Sequence, residues 1–458
     1  MYQMNRAPKT LLNCPMSDPT TLTLVELCDA YHAGRLRPTQ VTEAYLEKIV
    51  PGDVYRVVTA ERARRQAERA ERLLRQNIQL GPLLGIPLAL KDLIDTAGEV
   101  TAAGSKVLAQ NPPTAEDAPA AARLDAAGAV FLGKTTMTEL AFSGIGINPH
   151  FGTPGNALDA ARVPGGSSSG SGVAVAKGLA CAAVGSDTGG SVRIPAAFNG
   201  IVGLKTTDGA IPTDGCVPLS TTLDTLGPMT RTVEDAWCLW RALAARPYKK
   251  LEPAPNKLNL LVPTNVVFDE ADEEVVTAFE ATLDDLETQK HTVKRRRIPE
   301  LDEITDLYNR YGSFAGHESL ALYEEMMRTR ASEVDPRVSK RILHGERPAS
   351  DYIRLGYARQ ELLRRFWETY RTYDAVLAPT VAVLPPTVAS LAEDEAYFAT
   401  NSLCLRNTML FNFLSGPAAS VPCWVTGAGL SVGLMIATAP HQEALALGIA
   451  KRVEGRGV

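Results

Sequence analysis

The sequence predicts an α/β fold: a single large domain on a central mixed β-sheet, covered by helices on both faces. Three observations lead there. From residue 86 onward, short apolar runs at 86–90, 120–127, 129–132, 172–176 and 179–184 alternate with helical stretches, the rhythm of strands separated by covering helices. Strand-like runs return at 375–377, 418–425 and 430–436, and are expected to complete the same sheet rather than found a second domain. With 458 residues, 45% of them hydrophobic, the chain can bury one large core and has no compositional sign of disorder.

In chain order, residues 1–80 are expected to form N-terminal helices. Thr21 or Thr23 is placed to cap a first segment, and Thr39 to cap 40–49. Residues 60–77 are strong helix formers in which Glu61, Glu68 and Glu71 interleave with arginines, the pattern of a solvated surface helix rather than a basic partner-binding one. Residues 81–240 hold the glycine-rich motifs and are read as the core. The stretch 255–350 is more charged and is expected to be a helical elaboration near the substrate site. Its run Lys294-Arg295-Arg296-Arg297 has no aromatic interleaving and sits among glutamates, which argues against nucleic-acid binding. Residues 370–458 supply the late strands and a closing helix over 443–454.

Composition narrows the function. Lys+Arg total 47 and Asp+Glu 52, a net charge of −5 spread along the chain, so no broad basic face offers itself to a phosphate backbone. The first residues, 1–6, lack the apolar stretch of a signal peptide, and no apolar run approaches the ~20 residues of a membrane span. A cytoplasmic protein without membrane or nucleic-acid partners is expected. The seven cysteines form no Cys-x-x-Cys pair, and an odd number argues against a disulfide framework. The six histidines are scattered without metal-ligand spacing, so neither metal nor cofactor is implied.

The chemistry concentrates in two serine-bearing loops and one lysine. Ser167 lies in Pro164-Gly165-Gly166-Ser167-Ser168-Ser169-Gly170, and Ser191 ends Ser186-Asp187-Thr188-Gly189-Gly190-Ser191. Lys91 closes the apolar run 86–90. A serine hydroxyl is a poor nucleophile until a base takes its proton, and lysine is a known alternative to histidine in that role. Burial lowers a lysine's pKa toward neutrality, as a base requires. The first loop lacks the lysine of a phosphate-binding loop. It does satisfy G-x-S-x-G centred on Ser168, and with His441 downstream a nucleophile elbow is an alternative, although 159–164 does not read as the buried strand an elbow follows. The second loop leaves an apolar run, where α/β proteins place their sites. Gly189 and Gly190 free the backbone to aim N–H groups at an oxyanion, and Asp187 and Arg193 are expected to brace the turn.

These motifs resemble those of the amidase signature family of serine hydrolases. The likeness is dense over roughly 80–235, through Gly85-Ile86-Pro87-Leu88-Ala89-Leu90-Lys91-Asp92, Gly133-Lys134-Thr135, both serine loops and Gly200-Ile201-Val202-Gly203-Leu204-Lys205. It continues in Tyr373-Asp374-Ala375-Val376-Leu377-Ala378-Pro379-Thr380 and Gly416-Pro417-Ala418-Ala419-Ser420-Val421-Pro422. The resemblance implies a Ser–cisSer–Lys triad: Ser191 as nucleophile, Ser167 as bridging serine behind a cis peptide at Gly166–Ser167, and Lys91 as base. It implies an oxyanion hole from the backbone of Thr188, Gly189, Gly190 and Ser191, and a substrate pocket bordered by Phe142, Ser143 and Gly144. Ser169 stands where many relatives have glycine, and Thr206 departs from the usual Lys-Pro-Thr.

The activity so implied is hydrolysis of a C–N amide-type bond in a small carboxylic amide, aryl amide or carbamate (urethane) through an acyl-enzyme, by a monomer or homodimer. Absence of a membrane segment argues against anchored fatty-acid amide hydrolases, and the end at residue 458 against full-length allophanate hydrolases. The rival reading is the glutaminase component of a tRNA-dependent amidotransferase complex, disfavoured by Ile194-Pro195 where that branch typically has Gln-Pro.

Overall fold

The computed structural model describes residues 18–78 and 80–455; the expectations placed on residues 1–6 and on Cys14 lie outside them. Its strands are β1 (Tyr55–Val58), β2 (Pro87–Lys91), β3 (Val130–Thr135), β4 (Ala182–Asp187), β5 (Val202–Lys205), β6 (Thr225–Thr230), β7 (Asn259–Pro263), β8 (Thr292–Arg296), β9 (Ala375–Pro379), β10 (Ala418–Val425) and β11 (Ser431–Ala437). They form one sheet in the order β1-β3-β2-β4-β6-β5-β10-β11-β9-β7-β8. β2 runs parallel to β3 and β4, and β7 parallel to β8 and β9, while the remaining pairings are antiparallel. The sheet is therefore mixed, as expected. Successive strand residues point to opposite faces, and every residue of β2, β3, β4, β5, β6, β9 and β11 is buried. Helices must cover both faces for that to hold.

At the N-terminal end, Thr23 caps the helix Leu24–His32 in a reciprocal capping box with Glu26. Thr39 does not cap. The next helix, Pro38–Lys48, begins one residue earlier at a proline, whose fixed φ suits a first turn, and Thr39 Oγ1 instead donates to Glu71. The helix Ala60–Arg75 follows, with Arg62 paired to Asp117 and Arg69 to Asp125.

The stretch 255–350 departs from the expectation of a helical elaboration. Besides the helices Glu273–Thr288, Pro299–Tyr311, Phe314–Arg330 and Pro336–Leu343 it contributes β7 and β8 to the sheet. β8 escapes a hydrophobic reading because it is the edge strand and holds Lys294, Arg295 and Arg296 exposed. Charge on an edge discourages pairing with another chain, and Arg295 finds Glu280 and Glu287 nearby. Among the described residues no helix is long and apolar enough to cross a membrane.

Candidate active site

Two neighbouring parallel strands deliver the site. Lys91 is the last residue of β2 and Asp187 the last of β4, so both reach the same C-terminal edge of the sheet, the side on which open α/β sheets bind ligands. Between them in sequence, the glycine loop 164–168 precedes the helix Ser169–Ala176, which runs back toward the start of β4. The Gly166–Ser167 peptide is cis. The loop is pressed against 143–146: Gly166 N–H donates to Gly144 O at 2.7 Å, and a Cβ on Gly166 would meet Gly146 N at 2.6 Å and Ser143 O at 2.8 Å.

Lys91 is wholly buried. Its Nζ lies 2.7 Å from Ser167 Oγ and 2.8 Å from Ser186 Oγ, and among the described residues it has no carboxylate within ion-pair distance. Burial drives its pKa down to about 7, against the opposing pull of Asp224 and Asp187. Asp224 is itself pushed up to about 6 by burial. Its carboxylate accepts from Thr188 Oγ1, from Leu219 N–H at 2.8 Å and from Ser220 N–H at 3.1 Å.

The loop after β4 is braced as the charges suggested. Arg193 and Asp187, both fully buried, form a bidentate pair with Nε–Oδ2 and Nη2–Oδ1 at 2.9 Å, and Asn412 Nδ2 adds a bond to Asp187 Oδ1 at 2.8 Å. Burial alone would raise the Asp187 carboxyl, but the guanidinium outweighs it and holds the group well below the usual carboxylate range. One expectation changes here: the Gly190 N–H donates to Asp187 Oδ1 at 2.8 Å, and so is not free for an oxyanion. The Gly189–Gly190 peptide is clamped at its other end too, because Thr408 Oγ1 donates to Gly189 O at 2.6 Å. Gly190 has φ +134°, and a Cβ there would meet Thr408 Oγ1 at 2.1 Å, which explains the glycine. The N–H groups of Thr188, Gly189 and Ser191 have no hydrogen-bond partner among the described residues.

Ser191 lines a cavity of about 50 Å³ together with Thr188, Gly189, Phe142, Ser143 and Arg341. Its peptide is tied to the glycine loop by Ser168 N–H donating to Ser191 O at 3.2 Å, while Ser191 Oγ hydrogen-bonds no described residue. The link from Ser167 to Ser191 is thus open, whereas the Lys91–Ser167 link is closed; catalytic hydrogen bonds commonly tighten only with substrate in place. Of the three pocket residues expected, Phe142 and Ser143 face the cavity. Gly144 does not: its N–H donates to Asn401 Oδ1 at 2.8 Å, and a Cβ would press on Ile194 and Leu405 at 3.1 Å. Asn401 Oδ1 also accepts from Ser143 Oγ at 2.9 Å, and Tyr397 OH donates to Ser143 Oγ at 2.7 Å.

The elbow alternative fails on geometry. Ser168 is buried with Oγ donating to Ser186 O at 3.3 Å, while His441 donates its backbone N–H to Thr207 Oγ1 at 2.8 Å, and no hydrogen bond joins the two residues. Ser169 Oγ is buried without a partner among the described residues. Sequence reasoning missed Ser186, Asp224, Thr408 and Asn412. Ser186 and Asp224 carry a local signal, since one sits inside a quoted motif and the other just before β6, but Thr408 and Asn412 reach the site from the helix Asp394–Phe413, more than two hundred residues along the chain.

The chain matches the Amidase family model over residues 40–447. It belongs to the amidase signature family. As a member it is a hydrolase acting on C–N bonds. It is 35% identical over 443 residues to the 2-amino-5-chloromuconic acid deaminase of Comamonas testosteroni, covering 95% of this chain and 92% of that protein. It is 32% identical over 471 residues to the A-type component of the glutamyl-tRNA(Gln) amidotransferase of Symbiobacterium thermophilum, covering 94% and 95%. Among solved structures, one described as the crystal structure of amidase superposes with TM-score 0.84 at 32% identity, over 94% of this amidase-family chain and 99% of the other.

Proposed function

We propose that the protein hydrolyses an amide-type C–N bond of a small molecule through an acyl-enzyme on Ser191. The observation that carries this reading is the Lys91 amine, buried without a carboxylate partner and 2.7 Å from Ser167 Oγ. An amine so placed is neutral in a large fraction of molecules near pH 7 and has two hydroxyls within reach, of which Ser167 belongs to the glycine loop whose Ser168 N–H is bonded to Ser191 O. As Ser191 Oγ bonds to the carbonyl carbon, its proton passes to Ser167 Oγ and the Ser167 proton to Lys91 Nζ. The oxyanion is received by the free N–H groups of Thr188, Gly189 and Ser191, each such donor being worth roughly 2.7–4 kcal/mol in the transition state. When the C–N bond breaks, Lys91 returns the proton through Ser167 to the leaving amine. Water then repeats the sequence on the ester and releases the acid. A carboxylic amide, an aryl amide and a carbamate all present the same carbonyl to this machinery, and the relative named a deaminase supports a small leaving amine.

Intact-mass measurement during turnover of a p-nitroanilide should reveal an acyl adduct that maps to Ser191, and Ser191→Ala should abolish both adduct and turnover. Full activity in Ser191→Ala would end this reading. The similarity to the A-type components of amidotransferases favours a second one, glutamine hydrolysis inside a complex. Co-purification of a stable partner, with glutamine consumed far faster than simple anilides, would select it.

A further inference from the structure

One buried carboxylate beside the site is held without a cation. Glu318, on the helix Phe314–Arg330, forms no ion pair with any described residue and is gripped by four neutral donors instead. Its Oε2 accepts from Ser220 Oγ and, at 3.2 Å, from Thr222 N–H. Its Oε1 accepts from Thr222 Oγ1 and, at 2.7 Å, from Tyr352 OH on the helix Ala349–Thr369. A charge kept from water without a counter-ion is costly, and three of its four bonds fall on Ser220 and Thr222. Ser220 also faces a second carboxylate. While its Oγ goes to Glu318, its N–H donates to Asp224 Oδ2 at 3.1 Å, beside the Leu219 N–H at 2.8 Å, and its carbonyl closes the turn by accepting from Asp224 N–H at 2.8 Å. The other Asp224 oxygen receives Thr188 Oγ1. The backbone here is set by β6, where Thr225 pairs with Asp187, but a carboxylate turns broadly about its last torsion unless donors hold it. Leu219 and Ser220 are those donors. Further along the helix of Glu318, Tyr323 OH donates to Pro218 O. At the start of that helix, Ser313 and Ala315 line the Ser191 cavity together with Leu219 and Leu223.

We propose that Glu318 is a positioning residue for the oxyanion donors: it locks the loop 218–224 to the helix that walls the Ser191 cavity, and through Ser220 and Asp224 it fixes the Thr188 side chain and with it the Thr188 peptide. Glu318 does not line that cavity, so it acts through the loop and never touches substrate. A substrate seated against Ser313 and Ala315 presses on the same unit that holds Thr188, and contact with the wall becomes alignment at the reacting carbonyl. This role rests on the reading of the Thr188 N–H as one receiver of the oxyanion.

A double-mutant cycle reads the coupling. Glu318→Gln should lower kcat for an uncharged anilide about tenfold or more with KM changed less than about twofold, the mark of an interaction made only in the transition state. Thr188→Val removes the hydroxyl that reaches Asp224 but keeps the peptide N–H, and should lower kcat to a similar degree. With that link cut Glu318 has nothing left to transmit, so the double variant should match Thr188→Val within about twofold. Wild-type kcat in either single variant, or losses that multiply in the double, would overturn the assignment. Tyr352→Phe takes away the one Glu318 bond that does not go to the loop. It should lower the melting temperature and leave kcat within about twofold; a fall as large as that of Glu318→Gln would overturn the assignment, because turnover would then merely follow the stability of the helix. Should Glu318→Gln fail to fold, Ser220→Ala carries the same cycle, since it removes Oγ and leaves the N–H on Asp224, and wild-type kcat there would be as decisive against the role. The acyl-enzyme reading fails separately, by full activity in Ser191→Ala, whatever the cycle gives.

Discussion

Under the proposed mechanism acidification through neutrality should switch the reaction off, because Lys91 can act as a base only as a free amine. Burial takes Lys91 from the ordinary 10.5 to about 7, and at 1.36 kcal/mol per pH unit this is roughly 5 kcal/mol of discrimination against the ammonium. About half of the molecules then hold a neutral Lys91 at pH 7, and about one in a hundred at pH 5. The same change has a sign for stability: the folded state binds fewer protons than the unfolded chain between about 7 and 10.5, so this group makes stability rise with pH across that window. The assay is kcat/KM for an uncharged anilide from pH 5 to 10 at constant ionic strength, which should fall tenfold per unit on the acid side with a midpoint near 7. Asp224→Asn sharpens the test. Its carboxylate favours the charged lysine, so neutralising it should move the midpoint below that of the wild type, with a lower plateau because the amide keeps one acceptor oxygen where the carboxylate serves Thr188 with one and Leu219 and Ser220 with the other. A flat profile from pH 5 to 9, or a midpoint near 10.5, would refute the lysine-base argument outright.

Other substitutions probe the scaffold. Arg193→Met leaves Asp187 charged and buried, and should cost about 3–5 kcal/mol of stability, read as a lowered denaturant midpoint; a loss within experimental scatter would show that the pair is not needed. Gly190→Ala forces a Cβ to within 2.1 Å of Thr408 Oγ1, displacing the loop that carries Thr188, Gly189 and Ser191. We expect kcat to drop on the order of 10²–10³-fold, the cost of a lost oxyanion donor, and wild-type kcat would sink the loop assignment. Tyr397→Phe removes the donor to Ser143 Oγ; about 1 kcal/mol of stability should go, with a rise in KM larger than any fall in kcat.

Much of the site could be read from the chain because its parts are local. Lys91 ends an apolar run, and Ser167 and Ser191 sit in glycine loops whose backbone demands leave short, recognisable motifs. Late strands such as β10 and β11 were legible from their largely apolar content. Part of what escaped depends on distant partners. Nothing near Glu318 in sequence marks it as a partner of the loop 218–224, since Ser220 lies 98 residues away. The Gly190 N–H looked free until Asp187 turned back on it. β7 and β8 were hidden by their setting, a five-residue strand of mostly buried residues beside a charged edge that carries no alternation.

The sheet order gives the last hairpin a decisive place. Among the described strands, β1 to β6 pair among themselves, and so do β7 to β9, but no strand of one group pairs with a strand of the other; the strand pairings that join them are β10 on β5 and β11 on β9. The sheet is therefore keyed by its final strands, and during synthesis both halves must wait with open inner edges until residue 437 has emerged. Such late, long-range closure is slow and exposes edges to other chains. Chains truncated after residue 416 should accumulate as aggregates with unassembled active sites, and adding back 417–455 in trans should recover soluble, active protein if the hairpin is the key; recovery of activity without it would show that the halves can find each other unaided.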